Sequence, residues 1–235
     1  MFVILALDGL ELELVEKFKC KNLMQDKYGK TDLSDFSEPR TVVLWSSFLT
    51  GKNQEKRVLK ENLWSFKLDK KETFFNSFEK PIAIDVPGYN YQEIHKTERD
   101  LLKGYFDEKN SLEDYNENAL KGHQIIKGQF FEHINDEFDI LMVYFGIADV
   151  FGHLNFGIEA KMRPIYQELD DIAEKMKKKF SQANCLIISD HGMKKIGQFG
   201  DHSNYGFWSV NFDTKMQNPK ITDFYKLILA EKRMR

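Results

Sequence analysis

The chain is expected to fold as an α/β protein, with a central, mostly parallel sheet and helices on both faces. Three observations carry this reading. Short apolar runs recur at Phe2–Leu7, Pro81–Val86, Phe138–Phe145 and Asn184–Ser189. Segments of helical periodicity separate them, as in helix-connected parallel strands. Turn residues close three of the runs, at Asp8-Gly9, Pro87-Gly88 and Asp190-His191-Gly192. Continuous apolar runs, rather than alternating ones, suit strands buried on both faces.

Taken in order, Phe2–Leu7 predicts a buried strand feeding the Asp8-Gly9 loop, and Leu10–Phe18 a charged helix. Thr31–Arg40 is polar and turn-rich. Thr41–Leu49 is compact and apolar, so a helix is expected there, N-capped by Thr41 and stopped at Gly51. Residues 52–80 are rich in lysine and glutamate and show no clear period. Pro81–Val86 predicts the second strand. Ser111–Ile134 predicts a long helix, because Ser111 and Asp114 form a capping-box pattern. Its apolar face is Leu112, Tyr115, Ala119, Ile126, Phe130 and Ile134. Phe138–Phe145 is the third strand. Met162, Ile165, Leu169, Ile172, Met176 and Phe180 mark another long helix. Asn184–Ser189 is the fourth strand, Phe207–Phe212 a further one, and Thr222–Lys232 a closing helix.

A length of 235 residues suits one domain over residues 1–235, and no repeat or linker divides it. The 34 basic and 37 acidic residues nearly cancel, which argues against a surface built for extended nucleic acid. The two cysteines, Cys20 and Cys185, are expected to be buried free thiols. The opening MFVILALD lacks a basic n-region, and Asp8 interrupts its apolar run, so it does not read as a signal peptide. No stretch approaches the roughly 18 apolar residues of a membrane span. A cytoplasmic protein without membrane contact is the expectation.

In parallel sheets, ligands gather at the loops after the carboxyl ends of strands. Asp8 ends the first run. Asp149 and His153 follow the third in FGIADVFGH, Asp190 and His191 end the fourth, and His202 follows in FGDHSNYG. Three of the six histidines thus stand beside aspartates just after predicted strands, where core packing would not place them. Each piece also has an ordinary reading, as a turn cap or a loop residue. Together they form a set of oxygen and imidazole ligands that suits zinc, with manganese and iron as alternatives. Six such ligands exceed one tetrahedral site and suit a pair of ions about 4 Å apart. Such pairs serve in-line displacement at phosphorus.

The segment TVVLWSSFLTG, Thr41–Gly51, resembles the nucleophile segment of the type I phosphodiesterase/nucleotide pyrophosphatase family, a branch of the alkaline-phosphatase superfamily. Thr41, Trp45, Ser47, Thr50 and Gly51 carry the likeness. The later motifs occur in the same order: an early Asp, D-x-x-x-H, DHGM and Gly200-Asp201-His202. The resemblance implies an alkaline-phosphatase-like catalytic domain without a large cap insertion. It also implies two divalent ions, one held by Asp8, Thr41, Asp190 and His191, the other by Asp149, His153 and His202. Thr41 would be the nucleophile and form a phospho-threonine. A bare threonine hydroxyl is a weak nucleophile, and a metal activates it; a helix N-terminus there favours phosphate. Asn62, twenty-one positions after Thr41, would contact a phosphoryl oxygen. The family's preceding His-Gly pair is replaced by Arg57-Val58. Trp45 is a candidate for stacking a planar substrate group, as are Trp64, Tyr89 and Tyr91.

The implied substrate is a small phosphoester such as a nucleotide, hydrolysed as a diester. Other readings on the same residues are a phosphomonoesterase, a nuclease, or an inactive nucleotide-binding module. Threonine at position 41 argues against a sulfatase, which needs a modifiable Cys or Ser there.

Overall fold

The computed structural model describes residues 1–233. Its strands are β1 (Phe2–Leu7), β2 (Lys27–Lys30), β3 (Pro81–Ile84), β4 (Ile140–Phe145), β5 (Asn184–Ile188), β6 (Met193–Ile196), β7 (Phe199–His202) and β8 (Phe207–Val210). The main sheet has the order β2-β8-β5-β1-β4-β3, and β6-β7 form a separate hairpin. β1 lies at the centre, parallel to β4 and β5, and β3 extends the parallel part beyond β4. β8 runs antiparallel to β5, and β2 antiparallel to β8.

The helices are α1 (Leu12–Lys17), α2 (Thr41–Thr50), α3 (Glu55–Lys60), α4 (Ile94–Phe106), α5 (Leu112–His133), α6 (Ile147–Asn155), α7 (Glu159–Lys179) and α8 (Asp223–Arg233). Alternate residues of β1 feed two separate cores, as the two-residue period of a strand requires. Val3, Leu5 and Leu7 pack with apolar residues of α1, α5, α6 and α7. Phe2, Ile4 and Ala6 pack on the other face with α2, α3 and α8. Every residue of β1 and β4 is buried, which explains their unbroken apolar sequences. Cys20 and Cys185 are buried, and neither is in a disulfide among the described residues.

The predicted strands and long helices are present, with ends shifted by a few residues. The Ser111–Asp114 capping box forms as expected at the start of α5. Several elements had no clear sequence signal. β2 is an edge strand of Lys, Tyr and Gly, half open to solvent. The β6-β7 hairpin is mostly exposed. α3 is short and charged, and α4 turns a histidine and a glutamate inward instead of an apolar stripe. Among the described residues, no helix is long and apolar enough to cross a membrane.

Candidate metal centre

The carboxyl ends of β1, β4 and β5 lie side by side because these strands are parallel and in register. Asp8 follows β1, and Asp190 and His191 follow β5. Asp149 and His153 sit on α6, directly after β4, instead of in an open loop. Their four-residue spacing puts them on one face of that helix, with His153 Nε2 3.2 Å from Asp149 Oδ2. His202 ends β7, so the hairpin delivers it to the same place.

Close packing brings these segments together. Gly9 takes a left-handed φ of 65°, and a Cβ there would lie 2.7 Å from Asp149 Cβ. A Cβ on Gly200 would fall 2.3 Å from Met193 Sδ and 2.9 Å from the Gly152 carbonyl, so glycine lets the hairpin lie flush on α6. Loop ends are tied by side chains. The Leu10 amide donates to Ser189 Oγ at 3.0 Å, and the Ser189 hydroxyl donates to the His191 carbonyl at 2.5 Å. Buried Glu11 accepts from the Met193 amide at 3.0 Å and from the Tyr205 hydroxyl at 2.6 Å.

At the centre, His191 Nε2 lies 3.2 Å from Asp8 Oδ1 and 3.5 Å from Asp190 Oδ2. It is 4.0 Å from Asp149 Oδ1, which is itself 3.4 Å from His202 Nε2. Two groups each gather ligand atoms within 4.8 Å: Asp8, Asp190 and His191, and Asp149, His191 and His202. His191 is thus shared by both groups, whereas the family resemblance assigns it to one. His153 is held against Asp149 at the edge of the second group. His191 and Asp190 are fully buried, not loop-exposed.

The ring nitrogens are oriented from behind. His202 Nδ1 is 2.7 Å from the Pro39 carbonyl and His191 Nδ1 is 3.0 Å from the Gly192 carbonyl. A carbonyl only accepts, so each Nδ1 carries the proton and each Nε2 faces the cluster. The Tyr144 hydroxyl donates to Asp8 Oδ2. Tyr144 itself is boxed edge-on by Trp45, Tyr91 and His95.

The electrostatics are those of crowded, buried acids. Burial, then the Asp149 carboxylate, pushes the Asp8 carboxyl up to about 7. Burial and Asp8 push Asp190 well above the usual carboxylate range. Burial acts on Asp149 in the same direction, but His153 and His202 outweigh it and hold that carboxyl well below its usual range. Burial lowers His202, but the Asp149 carboxylate 3.4 Å away outweighs it and raises the ring to about 9. His191 is lowered to about 3 by burial and by His202, which leaves it neutral with a lone pair at Nε2. Asp8 Oδ1, Asp149 Oδ1, both Asp190 carboxylate oxygens, His191 Nε2 and His202 Nε2 are buried without a hydrogen-bond partner. Buried polar atoms normally have partners. A cluster of carboxylate and imidazole atoms that lack them, all facing inward, fits divalent cations, which would displace the His202 proton.

Thr41 is the first residue of α2, and Arg40 is the N-cap, which corrects the expected N-cap role for Thr41. No side chain caps that end, so the first-turn amides stay open to an anion. Half-buried Thr41 lines both an inner cavity of about 250 Å³, shared with Asp8, Asp149 and His153, and an outer cleft of about 570 Å³. Trp45 does not reach either. It is fully buried beneath α2, edge-on to Phe48 and Tyr144, so it is a core residue and not a stacking platform. Trp64 and Tyr91 line the inner cavity, whereas Tyr89 does not. Asn62 stands in an exposed turn, its Oδ1 accepting from the Trp64 amide at 3.1 Å, and it lines neither space. The sequence reading missed Tyr144 and the α4 residues His95 and Arg99; a tyrosine inside an apolar strand run was the one available signal.

No family model matches the sequence, and no match is found among curated proteins. Solved structures do match. Alkaline phosphatase from the Antarctic bacterium TAB5 superposes with a TM-score of 0.58 at 12% identity, covering 99% of this chain and 97% of the enzyme. PsFucS1 sulfatase from Pseudoalteromonas sp. gives 0.52 at 11% identity, over 97% and 66% of the two chains. Murine ectonucleotide pyrophosphatase/phosphodiesterase 5 gives 0.50 at 14% identity, over 84% of this chain and 58% of that one. The chain therefore spans little more than half the length of the murine protein. What the chain shares with all three is the alkaline-phosphatase-type fold.

Proposed function

We propose that the protein is a two-metal phosphoester hydrolase, acting on phosphodiesters or nucleotide pyrophosphate bonds through a phospho-threonine at Thr41. The observation that carries this is the set of six buried carboxylate and imidazole atoms without hydrogen-bond partners, gathered beside the open first turn of α2. Asp8, Asp190 and His191 would hold one ion, and Asp149 and His202, flanked by His153, the other. When bound, the ions supply positive charge that stabilises the entering and leaving oxygens.

The residues of the chain divide the remaining work. The first-turn amides of α2 bind phosphoryl oxygens. Thr41 Oγ loses its proton as it attacks phosphorus, the bond to the leaving oxygen breaks, and that oxygen departs with the electron pair and takes up a proton. Water then attacks the phospho-threonine, the phosphorus–Oγ bond breaks, and a proton from that water restores the Thr41 hydroxyl. Two spaces meet at Thr41, the inner cavity and the outer cleft, and a diester has two substituents to place. Tyr144, by bonding Asp8 Oδ2, leaves Oδ1 aimed at the cluster.

The test is hydrolysis of bis-p-nitrophenyl phosphate and p-nitrophenyl phosphate after chelation and re-addition of zinc or manganese. Restored activity favouring the diester is expected. A preference for the monoester would replace the diesterase reading with a phosphatase. Absence of turnover on both, with metal bound, would overturn hydrolysis of simple esters.

A further inference from the structure

We infer that Arg99 is a specificity-determining residue of this site, and that the substrate carries anionic charge beyond the single charge of a simple phosphodiester. The inference rests on the hydrolase reading above. Arg99 is a half-buried residue of α4 that lines the inner cavity together with Thr41, Asp8 and Asp149. Its guanidinium carbon lies 4.0 Å from the ring centroid of Trp64. That contact holds the planar fork in place before any ligand arrives.

The other cations near the site are already matched. Arg40 pairs with Glu38 at 2.6 Å, and Lys194 with Asp201 at 3.0 Å, both on the outer cleft. His95, one turn before Arg99, is locked at 2.6 Å from both Asp85 and Glu98, so the Glu98 carboxylate, which shares the inner cavity with Arg99, is engaged by that ring. Asp100, next in the chain, is held by Lys96 at 2.6 Å. Among the described residues, no carboxylate forms an ion pair with Arg99 and no acceptor takes a hydrogen bond from it; its close contact is with Trp64. A guanidinium offers five donors and no acceptor. Left facing a cavity that holds the reacting centre, those donors match a phosphate or carboxylate, often through two parallel bonds.

Position says where the anion lies. The deepest ligands, Asp190 and His191, are fully buried, while half-exposed Trp64 lines both the inner cavity and the outer cleft. Arg99, on the inner cavity with Thr41, therefore stands against the residue that joins the two spaces. The extra charge resides either on the reacting phosphorus, as in a monoester, or on a second phosphate carried by a substituent. The chemistry recognised is the same in both cases.

The experiment compares the metal-loaded full chain with Arg99→Ala, Arg99→Gln and Arg99→Lys. The substrates are bis-p-nitrophenyl phosphate, p-nitrophenyl phosphate, and p-nitrophenyl thymidine 5′-phosphate with and without a 3′-phosphate. Expected is a fall of about 10–100-fold in the kcat/KM ratio of charge-rich over charge-poor substrate for Ala and Gln, mainly through KM, with partial recovery for Lys. A fall confined to p-nitrophenyl phosphate places the charge on the reacting phosphorus. A fall confined to the 3′-phosphate pair places it on a substituent. Ratios unchanged within about 2-fold would overturn the inference while leaving the hydrolase reading intact. If the wild type turns over none of these esters, the hydrolase reading fails, and calorimetric binding of inorganic phosphate decides for Arg99. Weaker binding by about 10-fold in Arg99→Ala supports it, and equal binding overturns it.

Discussion

Replacing Asp8 with Asn should make the metal-free protein more stable and the metal-loaded protein less so. Asp8 is buried, and its carboxyl is raised from 3.8 to about 7 by burial and by Asp149. A raised acid binds more protons folded than unfolded, so folding stability falls as pH climbs from the unfolded value through the folded one. A rise of this size costs the folded chain about 4 kcal/mol once the carboxyl is ionised. That cost is fully present near pH 8, reduced to about 2 kcal/mol near pH 5, and gone below about pH 4. Asparagine carries no charge, yet its carbonyl oxygen can still accept from the Tyr144 hydroxyl, so the packing is kept. Chelated Asp8→Asn should therefore melt roughly 8–16 °C above chelated wild type near pH 8, with the gap closing as pH falls. Metal should close that gap at about a thousandfold excess over Kd, where it stabilises the chain that binds it by about 4 kcal/mol, and reverse the order at higher excess. Calorimetric melting at several pH values, with and without zinc, measures both effects. Equal or lower stability of the chelated variant near pH 8, or a gap that does not change with pH, would refute this account of the cluster.

Thr41→Ala should lower turnover by at least about 10³-fold while leaving metal content near that of the wild type, as read by elemental analysis beside the kinetic assay. Full activity in that variant would remove Thr41 as nucleophile. Tyr144→Phe keeps the aromatic box but strips Asp8 Oδ2 of its donor. Metal affinity should then fall about 10–100-fold, measured by competition with a chromophoric chelator; an unchanged affinity would mean that the tyrosine only fills space.

Much of this molecule is written locally. The runs FVILAL and ILMVYF read as strands buried on both faces, because they are short, bounded by turn residues and have no periodic polar side to give to water. Asp8, Asp149, Asp190 and His191 were locatable at strand ends without coordinates, since a parallel sheet places all such ends on one edge. Thr41 could be placed at the start of a helix, because an apolar segment bounded by Arg40 and Gly51 has one natural reading. These features depend on neighbours in sequence, and so the sequence determines them.

Other features depend on contacts between distant segments. Trp45 and Trp64 look alike as candidates in a sequence, yet one lies under α2 in the core and the other lines the cavity, because helix facing is set by packing. α4 was hidden because its buried positions are His95 and Glu98, made tolerable only by Asp85 from the end of β3. His202 reaches Asp149 only because glycines let a hairpin lie flat on α6. The sharing of His191 between two candidate ligand groups, the partner of Asp8 in Tyr144 and the fork of Arg99 left without an ion pair among the described residues are features of the same kind. Local sequence determined which residues stand at the sheet's edge. The tertiary structure alone decided which of their atoms face one another, since burial and pairing are properties of the packed chain and not of any one segment.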